Sequence, residues 1–188
     1  MKPNLISNGE VIAGKYLSRR GIQFGDGTEY GTALVHYISC FDLSTQTGST
    51  TIPTPFHYSN TDVSNGISVI SDGTELSKIK VSHAGVYNFI WSGQFENTVN
   101  VDRDIYVWFR VNGQDVLGST GLSAVPANKG AVPGKCITGW NFFLSLAAGD
   151  EVQIMWMVEA NSVSLAFYAG NANYPSTASV VLTVNQIA

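Results

Sequence analysis

The stretch Ile79–Glu96, IKVSHAGVYNFIWSGQFE, limits the folds open to this chain more than any other. After the polar corner His83-Ala84-Gly85 the residues alternate with a period of two: Tyr87, Phe89, Trp91 and Phe95 fall on one side, Asn88, Ser92 and Gln94 on the other. Side chains of a β-strand project to alternate faces, so the pattern predicts a strand with one wet and one aromatic face. Aromatics gathered on one side need an apolar partner opposite, and the stretch therefore predicts a two-sheet sandwich rather than a lone hairpin.

Shorter pieces carry the same signal along the chain. LVHYISCF, from Leu34 to Phe41, reads as a short strand apolar on both sides. Phe56–Tyr58 and Ile67–Ile70 read as short strands or edge pieces, set off by the turn dipeptides Asn65-Gly66 and Asp72-Gly73. The connection LSTQTGSTTIPTP ends in prolines, which lack the amide donor a central strand needs. DIYVWFRV sets Ile105, Val107, Phe109 and Val111 against Tyr106, Trp108 and Arg110 and stops at the hairpin signal Asn112-Gly113. Residues 118–134, rich in Gly, Ala and Pro, read as a long mobile loop. CITGWNFFLSL places Trp140, Phe142, Leu144 and Leu146 on one face and Ile137 and Phe143 on the other, and the turn Ala147–Asp150 leads into EVQIMWMVE. VSLAFYAG and ASVVLTVNQI complete the pattern, and the last must lie inside a sheet, because so apolar a strand would aggregate if exposed. About eight to ten strands and no sustained helical period predict an all-β, antiparallel two-sheet sandwich.

Composition removes several functions. Charged residues make up 13% of the 188, the net charge is -4, and the ten Lys+Arg are scattered, which is a poor footprint for nucleic acid or an anionic membrane. No apolar run approaches the roughly 18 residues of a membrane span, and MKPNLISNGE lacks the layout of a secretory signal, so synthesis in a cytoplasm is expected. There Cys40 and Cys136 are expected to be buried thiols. His36, His57 and His83 have no carboxylate or cysteine at ligand or triad spacing, and no phosphate-binding glycine loop is present. Asp102 and Asp104 read as solvated carboxylates rather than a calcium site. An acidic pair for glycoside hydrolysis depends on spatial separation and is not read from sequence. The chain is therefore expected not to be an enzyme and to carry no cofactor and no metal.

Residues 1–33 are polar and glycine-punctuated, and cannot build a core of their own. Within them GIQFGDGT, Gly21–Thr28, is an Asp-Gly turn after a two-residue apolar anchor. It resembles the GI-x-F-x-DGT segment that recurs in tail-fibre and other virion proteins of bacteriophages, which implies an attachment arm docking through Ile22, Phe24 and Asp26. Over residues 34–188 the segments VSHAGVYNF (Val81–Phe89) and LAAGDEVQI (Leu146–Ile154), followed by an apolar last strand, resemble in their order the trimeric jelly rolls of the tumour necrosis factor and complement globular-head superfamily.

That resemblance implies a jelly-roll head and a threefold homotrimer whose inner sheets pack around the axis. Candidate trimer-facing residues are Phe143, Phe167 and Tyr168, in an interface expected to bury on the order of 2,000 Å² or more. The collagen-like stalk and secretory signal of the animal members are absent from the sequence, and no matching calcium ligand set is found. The expectation is a non-enzymatic homotrimeric structural protein of a phage virion, displayed as a fibre, spike or knob, made in the host cytoplasm and partnered by other capsid or tail proteins. Two alternatives stand beside it: a capsid decoration or cement protein at threefold positions, and a module binding host-surface glycan or receptor through the loops at 97–103 and 118–134. Tyr106, Trp108 and Arg110 are candidate surface-binding residues, since an aromatic beside a guanidinium can stack on a sugar ring; contact with a neighbouring loop or a second protomer is the favoured account of them.

Overall fold

The computed structural model describes residues 35–188 and, before them, the antiparallel pair Ile22–Gln23 (β1) and Glu29–Tyr30 (β2). The chain divides into two units, residues 1–34 and residues 35–188. Ile22 belongs to β1, while Phe24 and Asp26 lie outside the described residues.

In the second unit the strands are β3 (Tyr37–Asp42), β4 (Gln46–Thr47), β5 (Thr54–Pro55), β6 (Asn60–Asn65), β7 (Ile67–Ser71), β8 (Leu76–Val81), β9 (Gly85–Asn97) and β10 (Arg103–Val111). They continue with β11 (Gln114–Asp115), β12 (Gly121–Val125), β13 (Gly134–Leu146), β14 (Glu151–Val158), β15 (Val163–Leu165) and β16 (Val180–Gln186). They form two antiparallel sheets packed as a jelly-roll-like sandwich. The first runs β6-β3-β16-β9-β13, with β15 and β4 continuing beside the end of β9. The second runs β10-β14-β8-β7, with β11 and β12 on the free edge of β10 and β5 on β14.

The aromatic face of β9 does meet a second sheet. Tyr87, Phe89, Trp91 and Phe95 are all buried, and Phe89 packs edge-on against Phe109 of the opposite sheet at 5.7 Å between ring centroids. Trp156 of β14 touches Phe95 and Phe56, each at 5.9 Å, and Phe56 reaches Trp91 at 5.2 Å. The terminal strand β16 lies inside its sheet, between β9 and β3, as its apolarity requires.

Several local expectations need correction. Phe56–Tyr58 is not a strand: Phe56 and Tyr58 insert into the core from an irregular segment, and the short pairing lies just before them, at Thr54–Pro55. The strand predicted from Leu34 starts at Tyr37. Residues 118–134 are not one loop, because β12 pairs with β10 from Arg103 to Val107 and buries Val125. The polar strand β6 carries no apolar alternation and is held by its pairing with β3. Cys40 is buried and Cys136 half-buried, and both are free thiols; burial pushes the Cys40 thiol up to about 12, which keeps it inert at neutral pH.

Buried polar side chains hold the connections. Asp42 accepts hydrogen bonds from Ser44 N and Oγ, Gln46 Nε2 and Ser59 Oγ, and Gln46 in turn bonds both the amide and the carbonyl of His57. These bonds fix residues 43–59, whose only ladders are the two-residue pairings of β4 and β5. At the other end of β9 the corner closes with Tyr87 Oη donating to His83 O at 2.7 Å. A Cβ on Gly85 would sit 2.4 Å from Ala188 O, so only glycine fits there.

The turn between β13 and β14 is tied by Asp150, whose carboxylate accepts from Ala147 N and from Asn112 Nδ2. Asn112 and Gly113 both have positive φ, the two-residue hairpin geometry that matches strand twist. Asn112 also exchanges backbone and side-chain bonds with Glu151, joining the two turns at one end of the second sheet.

Candidate functional surfaces

With the aromatic faces buried against each other, each sheet keeps one outer face. On the first sheet the register lines up rows of outward residues. One row is Phe143, Asn88, Asn185, Tyr37 and Asn65; the next is Asn141, Ile90, Thr183, Ser39 and Val63; a third is Gly139, Ser92, Val181, Phe41 and Asn60. Phe143 is 53% exposed, Ile90 46% and Ile137 71%, with Tyr37, Val63 and Val181 also exposed. Of the outward residues on β3, β9, β13 and β16, only Lys135 and Glu96 are charged, and they are cross-strand partners at one end.

Tyr168 lies at that end. Its hydroxyl donates to the Glu96 carboxylate, and the Lys135 ammonium sits 4.1 Å above its ring. Burial, then the bond to Glu96, push its phenol above the ordinary value, so the tyrosine stays neutral. Phe143 stands opposite Asn88, whereas Tyr168 bonds the side chain of Glu96, eight residues along β9 and about 27 Å away at the rise of a strand. Phe167 is half-buried, its amide donating to Thr45 Oγ1. The three sequence candidates therefore do not form one cluster. Ile90, Val181, Tyr37 and Val63, which sequence reasoning passed over, fill the middle of the face. The signal available was the apolar residue interrupting the wet side of β9 at Ile90.

The outer face of the second sheet is graded. Leu122, Tyr106 and Met157 make one row, Trp108, Met155 and Pro55 the next, and Asp115, Arg110 and Gln153 the third. Beyond them Glu151 bridges Lys78 at 2.9 Å and Lys80 at 3.3 Å. Tyr106, Trp108 and Arg110 share this face as expected from their spacing, but they are not equally available. Trp108 is only 8% exposed, and its Nε1 donates to the Asp115 oxygen that also accepts from Arg110 Nε. A ligand would meet Tyr106, 38% exposed, and the edge of Arg110 rather than the indole.

No family model matches the chain, and no curated protein matches it. The functional reading therefore rests on these surfaces and on the sequence.

At one end of the sandwich, the loop at 97–103 is tied to residues 125–128 and 159–162. Buried Asn97 donates to Val101 O and accepts from Val99 N and Ser162 Oγ. Asn128 Nδ2 donates to Thr98 O, and Ala127 N to the Asp102 carboxylate. Arg103 pairs with Glu159, which also accepts from Asp104 N. At the opposite end His36, buried, stacks on His83 at 3.9 Å with planes 9° apart. Neither imidazole is hydrogen-bonded to a carboxylate among the described residues, so the pair lacks the orienting partner of a general base. Among the described residues no three of His, Cys, Asp and Glu converge as metal ligands would.

Proposed function

We propose that the chain is a non-enzymatic, homotrimeric structural protein of a phage virion, displayed as a fibre, spike or knob and attached through its arm, residues 1–33. The observation that carries the homotrimer is the outer face of the first sheet. It is broad, apolar between amides and hydroxyls, and uncharged across its central rows on β3, β9, β13 and β16, with Asp62 at the β6 edge. Contiguous exposed apolar surface of this kind marks an interaction site. A face without like charges suits contact between identical copies, where symmetry repeats every charge around the axis. The virion assignment is supported by GIQFGDGT, and the mechanism it entails is assembly: the arm attaches, and the trimer makes the displayed head rigid.

Sedimentation or light scattering of the full chain is expected to give three times the 20.2 kDa protomer mass. A chain lacking residues 1–32 should remain trimeric, at three times its own shorter protomer mass, and no longer co-purify with particles. A monodisperse monomer would overturn the trimer, and unimpaired incorporation of the truncated chain would overturn the role of the arm.

A further inference from the structure

The outer face of the second sheet holds an open groove of ≈ 700 Å³, inside the roughly 300–1,000 Å³ of small-molecule sites. Pro53 and Pro55 give it apolar surface and the nearly buried Met155, cross-strand partner of Pro55, lies beside them, while the Asp72–Thr74 turn borders one side and the Asn112-Gly113 hairpin tip the other. We propose that this groove binds a short neutral oligosaccharide, one sugar ring lying against Pro53 and Pro55 while its hydroxyls bond the charged and amide groups around them.

The charges select the ligand. Both signs are present and already engaged: Lys78 and Lys80 on Glu151, Arg110 on Asp115, and Asp72 with Thr74 N, Glu75 N and Ser77 Oγ. The hydrogen bond from Lys78 holds the Glu151 carboxyl below its usual range, and that from Arg110 does the same for Asp115. An anionic ligand would have to draw the lysines away from Glu151, and a cationic one would have to take Glu151 from them. A hydroxyl does neither, because it donates to a carboxylate and accepts from an ammonium, guanidinium or amide at once. Capacity for such bonds remains. Among the described residues Arg110 is engaged only through Nε, and Gln153 only through Nε2, which donates to Ser77 Oγ, leaving its carbonyl oxygen to accept.

The walls are set before any ligand arrives. Asp72 accepts from Thr74 N, Glu75 N and Ser77 Oγ, which closes its turn. Asn112 is bonded to Asp150 and Glu151, and the proline segment is anchored through Asp42 and Gln46. A groove fixed in this way spends little of its binding free energy on ordering. It is on the sheet opposite the face proposed for self-association and is independent of that reading.

The chain's three methionines, Met1, Met155 and Met157, make the test local. With 13C-methyl methionine labelling, maltotriose, cellotriose and chitotriose are titrated as neutral probes, and sialyllactose and inorganic phosphate as anionic ones. A saturable shift of the Met155 methyl with at least one neutral trisaccharide at millimolar concentration or below is expected, with Met1 unmoved. The combined Arg110→Gln and Gln153→Ala variant should weaken that response about tenfold or more, the loss of one to two hydrogen bonds to charged or polar groups. Thr74→Trp, an exposed wall residue, should block it by filling the groove. No shift with any neutral probe, a shift with the anionic probes alone, or a response that survives both variants overturns the proposal.

Discussion

The outer faces of the two sheets are written in the same alternating code and carry opposite contents. Outside β9 and its neighbours, Ile90, Val181, Ile137 and Phe143 stand among Asn, Ser and Thr, with charge confined to Lys135 and Glu96 at one end. Outside β10 and β14, the row of exposed Leu122 and Tyr106 and half-buried Met157 gives way to Arg110, Asp115, Glu151 and the two lysines, all in ion pairs. The inner faces are alike, so the difference does not come from the demands of the core. It teaches that the core strands leave their alternate positions free to encode a surface. A neutral face fits another copy of the same chain, while a face of mixed charges stays solvated and suits small polar ligands.

The largest effect should come from placing charge in the neutral face. Ile90 lies between Asn141 and Thr183, in the middle of the rows. Ile90→Asp would bring like charges together around the proposed threefold axis, a juxtaposition that costs several kcal/mol in an interface. The expected result is a folded protomer of one-third the assembled mass, read by light scattering with circular dichroism as the control for folding. Tyr106→Asp on the other sheet should leave the mass unchanged. If Tyr106→Asp dissociates the assembly and Ile90→Asp does not, the roles of the two faces are reversed.

A substitution between the faces should disturb both. Trp156 belongs to the second sheet and packs on Phe95 of the first as well as on Phe56. Trp156→Ala is expected to lower stability by about 3–5 kcal/mol, the range for large-to-small changes at buried aromatics. Denaturant midpoints must be compared at one protomer concentration, because assembly adds its own stabilisation by mass action. A loss below about 1 kcal/mol would mean that the indole does not link the sheets.

The sandwich was legible because its signal is local. Tyr87, Phe89, Trp91 and Phe95 state within nine residues that one face is buried, and Asn112-Gly113 states where a hairpin turns. β12 was not legible, since GLSAV buries only Val125 and owes its place to the backbone of β10. β6, NTDVSN, is likewise a strand by pairing and not by pattern. The neutral face could not be read for a different reason. Each strand contributes one or two apolar residues to it, and only the register sets Ile90 beside Asn141 and Val181 beside Phe41. Spacing put Trp108 on the outer face correctly, but it could not say that Asp115 would cap the indole, because that contact depends on the turn that follows.

The smallest effect separates the faces by pH. Glu151 is the acidic partner of both lysines, and the bond from Lys78 holds its folded pKa below the ordinary 4.5. A depressed carboxyl stabilises the folded state above its unfolded pKa and loses that contribution as the pH falls through the folded value. Partly exposed pairs are worth less than about 1 kcal/mol, so Glu151→Gln should lower stability by no more than that at about pH 7 and by nothing in acid below the folded value, where the native carboxyl is protonated too. On β3, β9, β13 and β16 the central rows of this face hold no carboxylate or lysine, and Glu151 is on the other sheet, so the assembled mass of the Gln variant should match that of the native chain at about pH 7. Urea midpoints of the two chains at the two pH values, with light scattering alongside, measure both quantities. A stability gap that persists unchanged in acid would place the contribution of Glu151 in packing rather than in its charge, and a change in mass on removing that charge would extend the self-association surface onto the second sheet.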